Sequence, residues 1–276
     1  MPPTKLDPDH LTAEITKSPK YRQMNPHLVR RIAEEEAARQ PKVALAVKSA
    51  RTRLHQLVGA YYDKTTIYAQ LQNYLKSLPN NSADSLKAFA KKAMPLHAST
   101  QERLPFIESF YATCLAGIPA PSSVLDLGCG LNPLAIPFMP LAPAFTYIAV
   151  DALQPMVDFL NAYFAQTAVN GHAENIDLSA AYPTLEADMV IMLKLIPLLD
   201  QMDRTLAPRL LQSLNARSIL VSFPLKSLGG NSKGMRPTYQ KRFNELVEGL
   251  QSVQISQYNF PNEMAYLIRK GPDAGN

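Results

Sequence analysis

Val124-Leu-Asp-Leu-Gly-Cys-Gly-Leu-Asn132 is an apolar run that ends in a tight glycine turn, and its reading decides the fold. A short, nearly unbroken aliphatic run suits a strand buried on both faces of a sheet. Gly128 and Gly130 allow the backbone to turn sharply and to come close to a ligand. A second apolar run, Tyr147-Ile-Ala-Val150, ends in Asp151. A carboxylate at that distance, at the end of the next strand, accepts hydrogen bonds from ribose hydroxyls in doubly wound α/β domains. The pair predicts a site for an adenosine-containing molecule.

The kind of adenosine follows from what surrounds the turn. A dinucleotide fingerprint carries a third glycine, which opens a helix toward a pyrophosphate. Here that position falls in Asn132-Pro133-Leu134, and a proline starts a helix well but has no amide to offer a phosphate. Asp126, inside the turn, repels a pyrophosphate and tolerates a sulfonium and an ammonium. The Asp-x-Gly-x-Gly form therefore favours S-adenosylmethionine over NAD. Cys129, between the two glycines, reads as a small packing residue.

Working outward, the 276 residues allow one large domain or a standard domain with a smaller one. Hydrophobic residues make up 46% of the chain, yet there is no uninterrupted apolar run of about 18 residues, so no membrane span is expected. The first ten residues lack an apolar signal-peptide core, and two cysteines, Cys114 and Cys129, make no disulfide framework. A cytoplasmic protein is expected, with no metal site.

Charge is unevenly distributed. Residues 1–100 carry 16 Lys/Arg against 8 Asp/Glu, whereas residues 101–276 carry 12 against 15. The basic excess lies in a region that reads as helices, which predicts docking on an anionic surface. Asn25-Pro26 caps a helix with Leu28, Val29, Ile32 and Ala33 on one face. Val43, Val47, Ala50, Leu54 and Leu57 stripe another, with Lys48, Arg51 and His55 along its flank. Lys17, Lys20, Arg22, Arg30 and Arg31 lie in neighbouring segments. Ser99-Thr-Gln-Glu102 has the form of a capping box, predicting a helix to about Leu115. Arg103 would then sit in its first turn, where a cation opposes the helix dipole and calls for an anionic partner, a protein carboxylate or a ligand carboxylate.

From Ser122 onward, strand and helix patterns alternate. Strands are predicted at Val124–Leu127, Tyr147–Val150, Ala173–Ile176, Met189–Leu193, Ser218–Phe223, Val253–Asn259 and Ala265–Arg269. Helical patterns fall at Pro155–Thr167, Pro197–Asp203, Thr205–Leu214 and 239–250. Five alternating strands followed by two close together are the order of the methyltransferase variant of the Rossmann fold, with an antiparallel last strand. The expected architecture is α/β, a Rossmann-like class I S-adenosylmethionine-dependent methyltransferase fold with an all-helical N-terminal extension. The boundary is expected to divide residues 1–105 from residues 106–276.

Ligands of such sheets bind beyond the carboxyl ends of the strands. Those ends nominate Asp126 to Gly130, Asp151, Asp177 with Leu178 for an adenine amino group, Lys194 after Leu193, and Ser222 to Pro224. The Asn/Asp-Pro-Pro-aromatic tetrapeptide of exocyclic-amine methyltransferases is absent after the fourth strand, and no cysteine lies where carbon-5 cytosine enzymes need one. Ring nitrogens or hydroxyls remain as acceptors. From Arg204 to Asn244 there are eight Lys/Arg and no Asp or Glu, and within this segment Leu228-Gly-Gly-Asn-Ser-Lys-Gly-Met235 reads as a loop covering the substrate.

Several segments together, His97-Ala-Ser-Thr-Gln-Glu-Arg103, Gly128-Cys-Gly-Leu-Asn-Pro133, Leu193-Lys194, Ser222-Phe-Pro-Leu-Lys-Ser-Leu-Gly229, Lys233-Gly-Met235 and Asn262-Glu-Met-Ala-Tyr266, resemble the aminoglycoside-resistance 16S rRNA (guanine(1405)-N7)-methyltransferases. The likeness runs from about Ile15 to about Ile268, and Gly128 stands where many members carry alanine. The resemblance implies that a helical N-terminal region docks on the assembled 30S subunit, and the charge pattern nominates Lys17, Lys20, Arg22, Arg30, Arg31, Lys48 and Arg51 for the contact. The resemblance also implies that Arg103 pairs with the cofactor carboxylate, that Gly128 and Gly130 line its methionine end, that Asp151 holds the ribose, and that Asp177 and Leu178 hold the adenine; Asp126 and Leu193 are further candidates for cofactor contact. Lys194, Ser222, Lys226, Lys233 and Met235 would face the target nucleotide, with Lys194 as the catalytic residue that steadies it through its phosphate or O6.

Guanine N7 has a free in-plane lone pair at neutral pH, so no general base is needed and positioning carries the catalysis. N7 lies in the deep, narrow major groove of A-form RNA, so the base is expected to be flipped out. A monomer is expected. Other outcomes are methylation of another decoding-site nitrogen such as adenine N1, or a ribosome assembly factor without turnover. A small-molecule methyltransferase would have no use for the basic helices.

Overall fold

The computed structural model describes residues 6–57, 66–180, 186–225 and 234–271. Seven strands form one sheet: β1 (Ser123–Leu127), β2 (Thr146–Asp151), β3 (Gly171–Asn175), β4 (Ala187–Leu193), β5 (Ala216–Pro224), β6 (Val253–Asn259) and β7 (Glu263–Lys270). Their order is β3-β2-β1-β4-β5-β7-β6. The first five are parallel, while β7 runs antiparallel to β5 and to β6. The order of strand addition reverses between β1 and β4, which opens a crevice at the carboxyl ends of β1, β2 and β4.

Alternation along each strand divides the interior into two cores. Leu125, Leu127, Val190, Met192, Ile219 and Val221 face one side, with α10 (Ile196–Met202), α11 (Leu206–Ser213) and α12 (Met235–Val247). Val124, Met189, Ile191, Leu193 and Leu220 face the other, with α8 (Ile107–Cys114) and α9 (Gln154–Thr167). Successive strand side chains point to opposite faces, so Asp126 points to the second side, toward α8.

That second core continues into the N-terminal helices without a break. Leu11 and Ile15 of α1 (Pro8–Thr16), Leu28 and Ile32 of α3 (Pro26–Arg39), Ala50 and Leu54 of α4 (Val43–Leu57) and Phe89 of α6 (Ala83–Ala93) are buried in it. The short α2 (Pro19–Arg22) and α5 (Thr66–Lys76) complete the layer. Helices continue past residue 105 through α8, and the first strand begins at Ser123.

The joint is made by backbone as well as side chains. Asn25 caps α3 by accepting from the amides of His27 and Leu28, at 2.9 and 3.1 Å. Its own amide donates to Ala152 O at 2.7 Å, and Gln154 N donates back to Gln23 O at 2.9 Å. The start of α3 is thereby fixed to the segment that follows β2.

Two local expectations change. The capping box at Ser99–Glu102 is not used: α7 (Ala98–Arg103) begins after His97, and Glu102 turns toward Lys194 instead. Pro105, in the 3-10 turn Leu104–Phe106, separates α7 from α8, so the helix predicted to run to Leu115 is two pieces. Arg103 consequently ends α7 rather than opening it, and a cation there agrees with the dipole. The third strand begins and ends slightly earlier than the pattern at Ala173–Ile176, and α12 starts at Met235, ahead of the segment 239–250.

Candidate active site

A cleft opens at the carboxyl ends of β1, β2 and β4. Gly128 and Gly130 floor it, both in left-handed backbone at φ +63° and +51°. A Cβ on Gly128 would come within 2.8 Å of Leu195 Cδ1, and one on Gly130 within 2.8 Å of the His97 ring. The turn is held against β2 by Cys129 N, which donates to Val150 O at 3.0 Å; Cys129 is buried there, as a packing residue should be.

Asp151 stands beside the floor. One of its carboxylate oxygens accepts from Gly130 N and the other from Leu153 N, each at 3.0 Å. Burial raises its pKa and these amides partly offset the shift. Each oxygen keeps a lone pair for a hydroxyl in the cleft. Leu153, Met156, Ile176 and Leu178 supply apolar wall. Leu28 from α3 and Leu57 from α4 complete it, so the helical layer builds part of the pocket itself. At its rim, Asp177 accepts from Ser179 N at 3.0 Å and from Arg31 Nε at 3.3 Å. A glycine floor that admits no side chain, a two-oxygen acceptor and an apolar wall fit an adenosyl group.

Lys194 and Leu193 form the side wall. Lys194 has φ +57°, a conformation that costs a residue with a Cβ about 1–2 kcal/mol. Its amide is pinned by Ser222, donating to the carbonyl at 3.0 Å and the hydroxyl at 3.1 Å. Lys194 Nζ donates to Glu102 Oε2 at 2.5 Å and to Ser99 O at 3.3 Å.

Behind the wall lies a buried polar network. Arg103, 1% exposed, grips Glu263, 0% exposed, through Nε to Oε2 at 3.0 Å and Nη2 to Oε1 at 2.6 Å. It also donates to Asn132 Oδ1 at 3.2 Å and lies over the Phe110 ring. Ser222 Oγ donates to Glu263 as well. Asp126 accepts from Tyr147 Oη at 2.7 Å and Asn132 Nδ2 at 3.0 Å. Burial would lower the pKa of Arg103, but Glu263 outweighs it and the guanidinium is held firmly charged. Burial pushes Asp126 up to about 6 against the pull of its donors and Arg103. Burial, with Lys194 and Arg103 nearby, takes His97 down to about 4, so the imidazole beside the glycine floor is neutral near pH 7.

Of the residues singled out from sequence, Gly128, Gly130, Asp151, Asp177, Leu178, Leu193 and Lys194 meet at the cleft. Asp126 and Arg103 lie behind its wall, and the anionic partner of Arg103 is the protein carboxylate Glu263. Ser222 is fully buried and acts on Lys194 and Glu263. Met235 opens α12, while Lys226 and Lys233 lie outside the described residues.

The basic residues of the helices divide by what they touch. Arg30 pairs with Asp9 and Glu34, and Arg31 with Glu35, Ser179 and Asp177, so both are committed within the fold. Arg22 donates to Thr16 O and Lys17 O, closing the end of α1. Lys20 meets His55 Nδ1 at 2.8 Å. Lys48, Arg51 and His55 line a second, open groove with Tyr21 and Val47. Lys17 is exposed beside Glu14.

Sequence reasoning did not single out Glu263, Glu102, His97, Asn132 and Tyr147 as working residues. Glu263 and Glu102 stood inside motifs already quoted, and an acidic residue opening an otherwise apolar strand was the available signal at Glu263.

Residues 17–266 match the family model described as ribosomal RNA methyltransferase (FmrO). The chain is 34% identical over 266 residues to a 16S rRNA (guanine(1405)-N(7))-methyltransferase of Frankia casuarinae, covering 95% of this chain and 93% of that one. It is 35% identical to a protein of the same name from Serratia marcescens, over 95% and 98% of the two. Among solved structures, the 16S rRNA methylase RmtB superposes with a TM-score of 0.80 at 30% identity, over 97% of this chain and all of that one. The 16S rRNA methyltransferase RmtF in complex with S-adenosyl-L-homocysteine superposes with a TM-score of 0.83 at 28% identity, over 96% and 100%.

Proposed function

Because the chain belongs to the ribosomal RNA methyltransferase (FmrO) family, we propose that it methylates N7 of guanosine 1405 of 16S rRNA with S-adenosylmethionine and so confers aminoglycoside resistance. The observation that carries the cofactor assignment is the glycine floor beside Asp151. The observation that carries the RNA assignment is that the basic helices and the cleft are one unit, sharing Leu28 and Leu57.

Bound S-adenosylmethionine supplies an activated methyl group. The residues of the chain bind and orient. Asp151 accepts from the ribose, Leu28, Leu57, Ile176 and Leu178 enclose the adenine, and Asp177 receives its amino group. His97 stays neutral, so it adds no charge beside a cationic ligand. Lys194 is the one lysine of the described cleft wall, and its ammonium, held by Glu102 and Ser99 O, would meet a phosphate or O6 of the acceptor. No side chain has to remove a proton from N7.

The assembled 30S subunit is the substrate in this proposal, met by the groove that holds Lys48 and Arg51, with Lys17 and Lys20 beside it. The protein acts as a cytoplasmic monomer. Among the described residues the exposed large apolar side chains are Leu45 and Ile255, on α4 and β6, which supports no extensive apolar interface.

The test is methyl transfer from labelled cofactor to purified 30S subunits, followed by digestion to nucleosides. Label in 7-methylguanosine, near one per subunit, is expected. Label in 1-methyladenosine would move the target to adenine, and no label despite cofactor binding would favour the assembly-factor alternative.

A further inference from the structure

Glu102 lies at the edge of the buried charge cluster, and no step described so far uses it. Its side chain retains 29% exposure, while its partner Lys194 retains 4%. The Lys194 ammonium has two carboxylates in range: Glu102 Oε2 at 2.5 Å and Glu263 Oε2 at 3.9 Å. Glu263 is already occupied, by two hydrogen bonds from Arg103 and one from Ser222. Lys194 therefore depends on Glu102 for charge balance.

The backbone points the same way. Left-handed Lys194, held at its amide by Ser222, directs its side chain at α7, where Glu102 and the carbonyl of Ser99 receive it. Glu102 and Arg103 are neighbours in sequence, one holding a cation and the other a carboxylate. The two pairs form a crossed arrangement that locks α7 against the ends of β4 and β7.

We propose that Glu102 is a positioning residue for methyl transfer: it holds the Lys194 ammonium in place at the cleft wall for the acceptor nucleotide. This rests on Lys194 facing the acceptor, as proposed above. Glu102 does not line the cleft, so its loss should act on turnover and not on cofactor affinity. A merely structural ion pair would lower stability and leave kcat of the folded enzyme intact.

The experiment compares full-length wild type, E102Q, E102D, K194Q and E102Q/K194Q. It measures kcat and KM on 30S subunits and the Kd for S-adenosyl-L-homocysteine by calorimetry. E102Q is expected to lose at least tenfold in kcat with Kd within threefold of wild type. E102D keeps the charge and is expected to recover to within threefold. If Glu102 acts only through Lys194, the double variant matches K194Q within threefold. That comparison also serves if E102Q does not fold, because the double variant leaves no unpaired ammonium.

E102Q within twofold of wild type, an equal loss of cofactor affinity, E102D as slow as E102Q, or a double variant more than threefold slower than K194Q would each overturn the proposal. K194Q slow with E102Q fast would sink Glu102 alone. K194Q at the wild-type rate would remove the acceptor role of Lys194 and this inference with it.

Discussion

Gly130 has φ +51°, and the His97 ring occupies the space a side chain would need. Gly130→Ala therefore meets both backbone strain of about 1–2 kcal/mol and a collision with a packed ring. A loss of affinity for S-adenosyl-L-homocysteine of about tenfold or more is expected by calorimetry, since tenfold corresponds to about 1.4 kcal/mol.

His97 makes a separate prediction. Its pKa is about 4 in the fold against 6.5 for the free side chain. Between those values the unfolded chain binds the proton that the fold refuses, so this stabilisation is complete above pH 6.5 and is lost as pH falls to 4, by up to about 3 kcal/mol. Asp126, raised from 3.8 to about 6, works oppositely: its burial cost is relieved on acidification from 6 to 3.8. His97→Gln leaves only the second contribution. Denaturant melts from pH 6.5 to 4 should show a smaller loss of stability on acidification than in wild type, and an unchanged slope would contradict the assignment.

Among the elements, β7 carries more than its apolar pattern suggests, because its first residue holds α7 to the sheet. Glu263→Gln strips Arg103 of its carboxylate in a site with no access to water. Removing one partner of a buried pair costs about 3–5 kcal/mol, and thermal unfolding should show a correspondingly large drop in Tm.

Strands and their order were legible in the sequence because β1, β2, β4 and β5 are buried on both faces and read as apolar runs. The helix at Ser99–Glu102 was misread because a capping box is a local rule, whereas Glu102 is claimed by Lys194, 92 residues away. Arg103 is the same case over 160 residues. The sequence could demand an anionic partner for it but could not choose which. Leu28 and Leu57 looked like ordinary core positions, since nothing in a helical stripe says that its buried face borders a ligand cleft.

At the scale of the whole molecule, the helices and the sheet share a core, and the basic groove at Lys48 and Arg51 lies on the layer that supplies the cleft with Leu28 and Leu57. Lys48→Ala should weaken 30S binding and lower the salt dependence of log affinity by about one. Cofactor affinity should be unchanged, because Lys48 does not border the cleft. Equal salt slopes for variant and wild type would move the docking surface elsewhere.

The central claim is that this molecule seats on the small ribosomal subunit and alkylates one ring nitrogen there. Borohydride reduction and aniline scission of 16S rRNA, recovered after reaction with intact 30S subunits or with bare RNA, tests it most directly. A single new break at guanosine 1405, in the 30S reaction only, is expected. Breaks at other guanosines, or equal cleavage of the bare RNA, would contradict it.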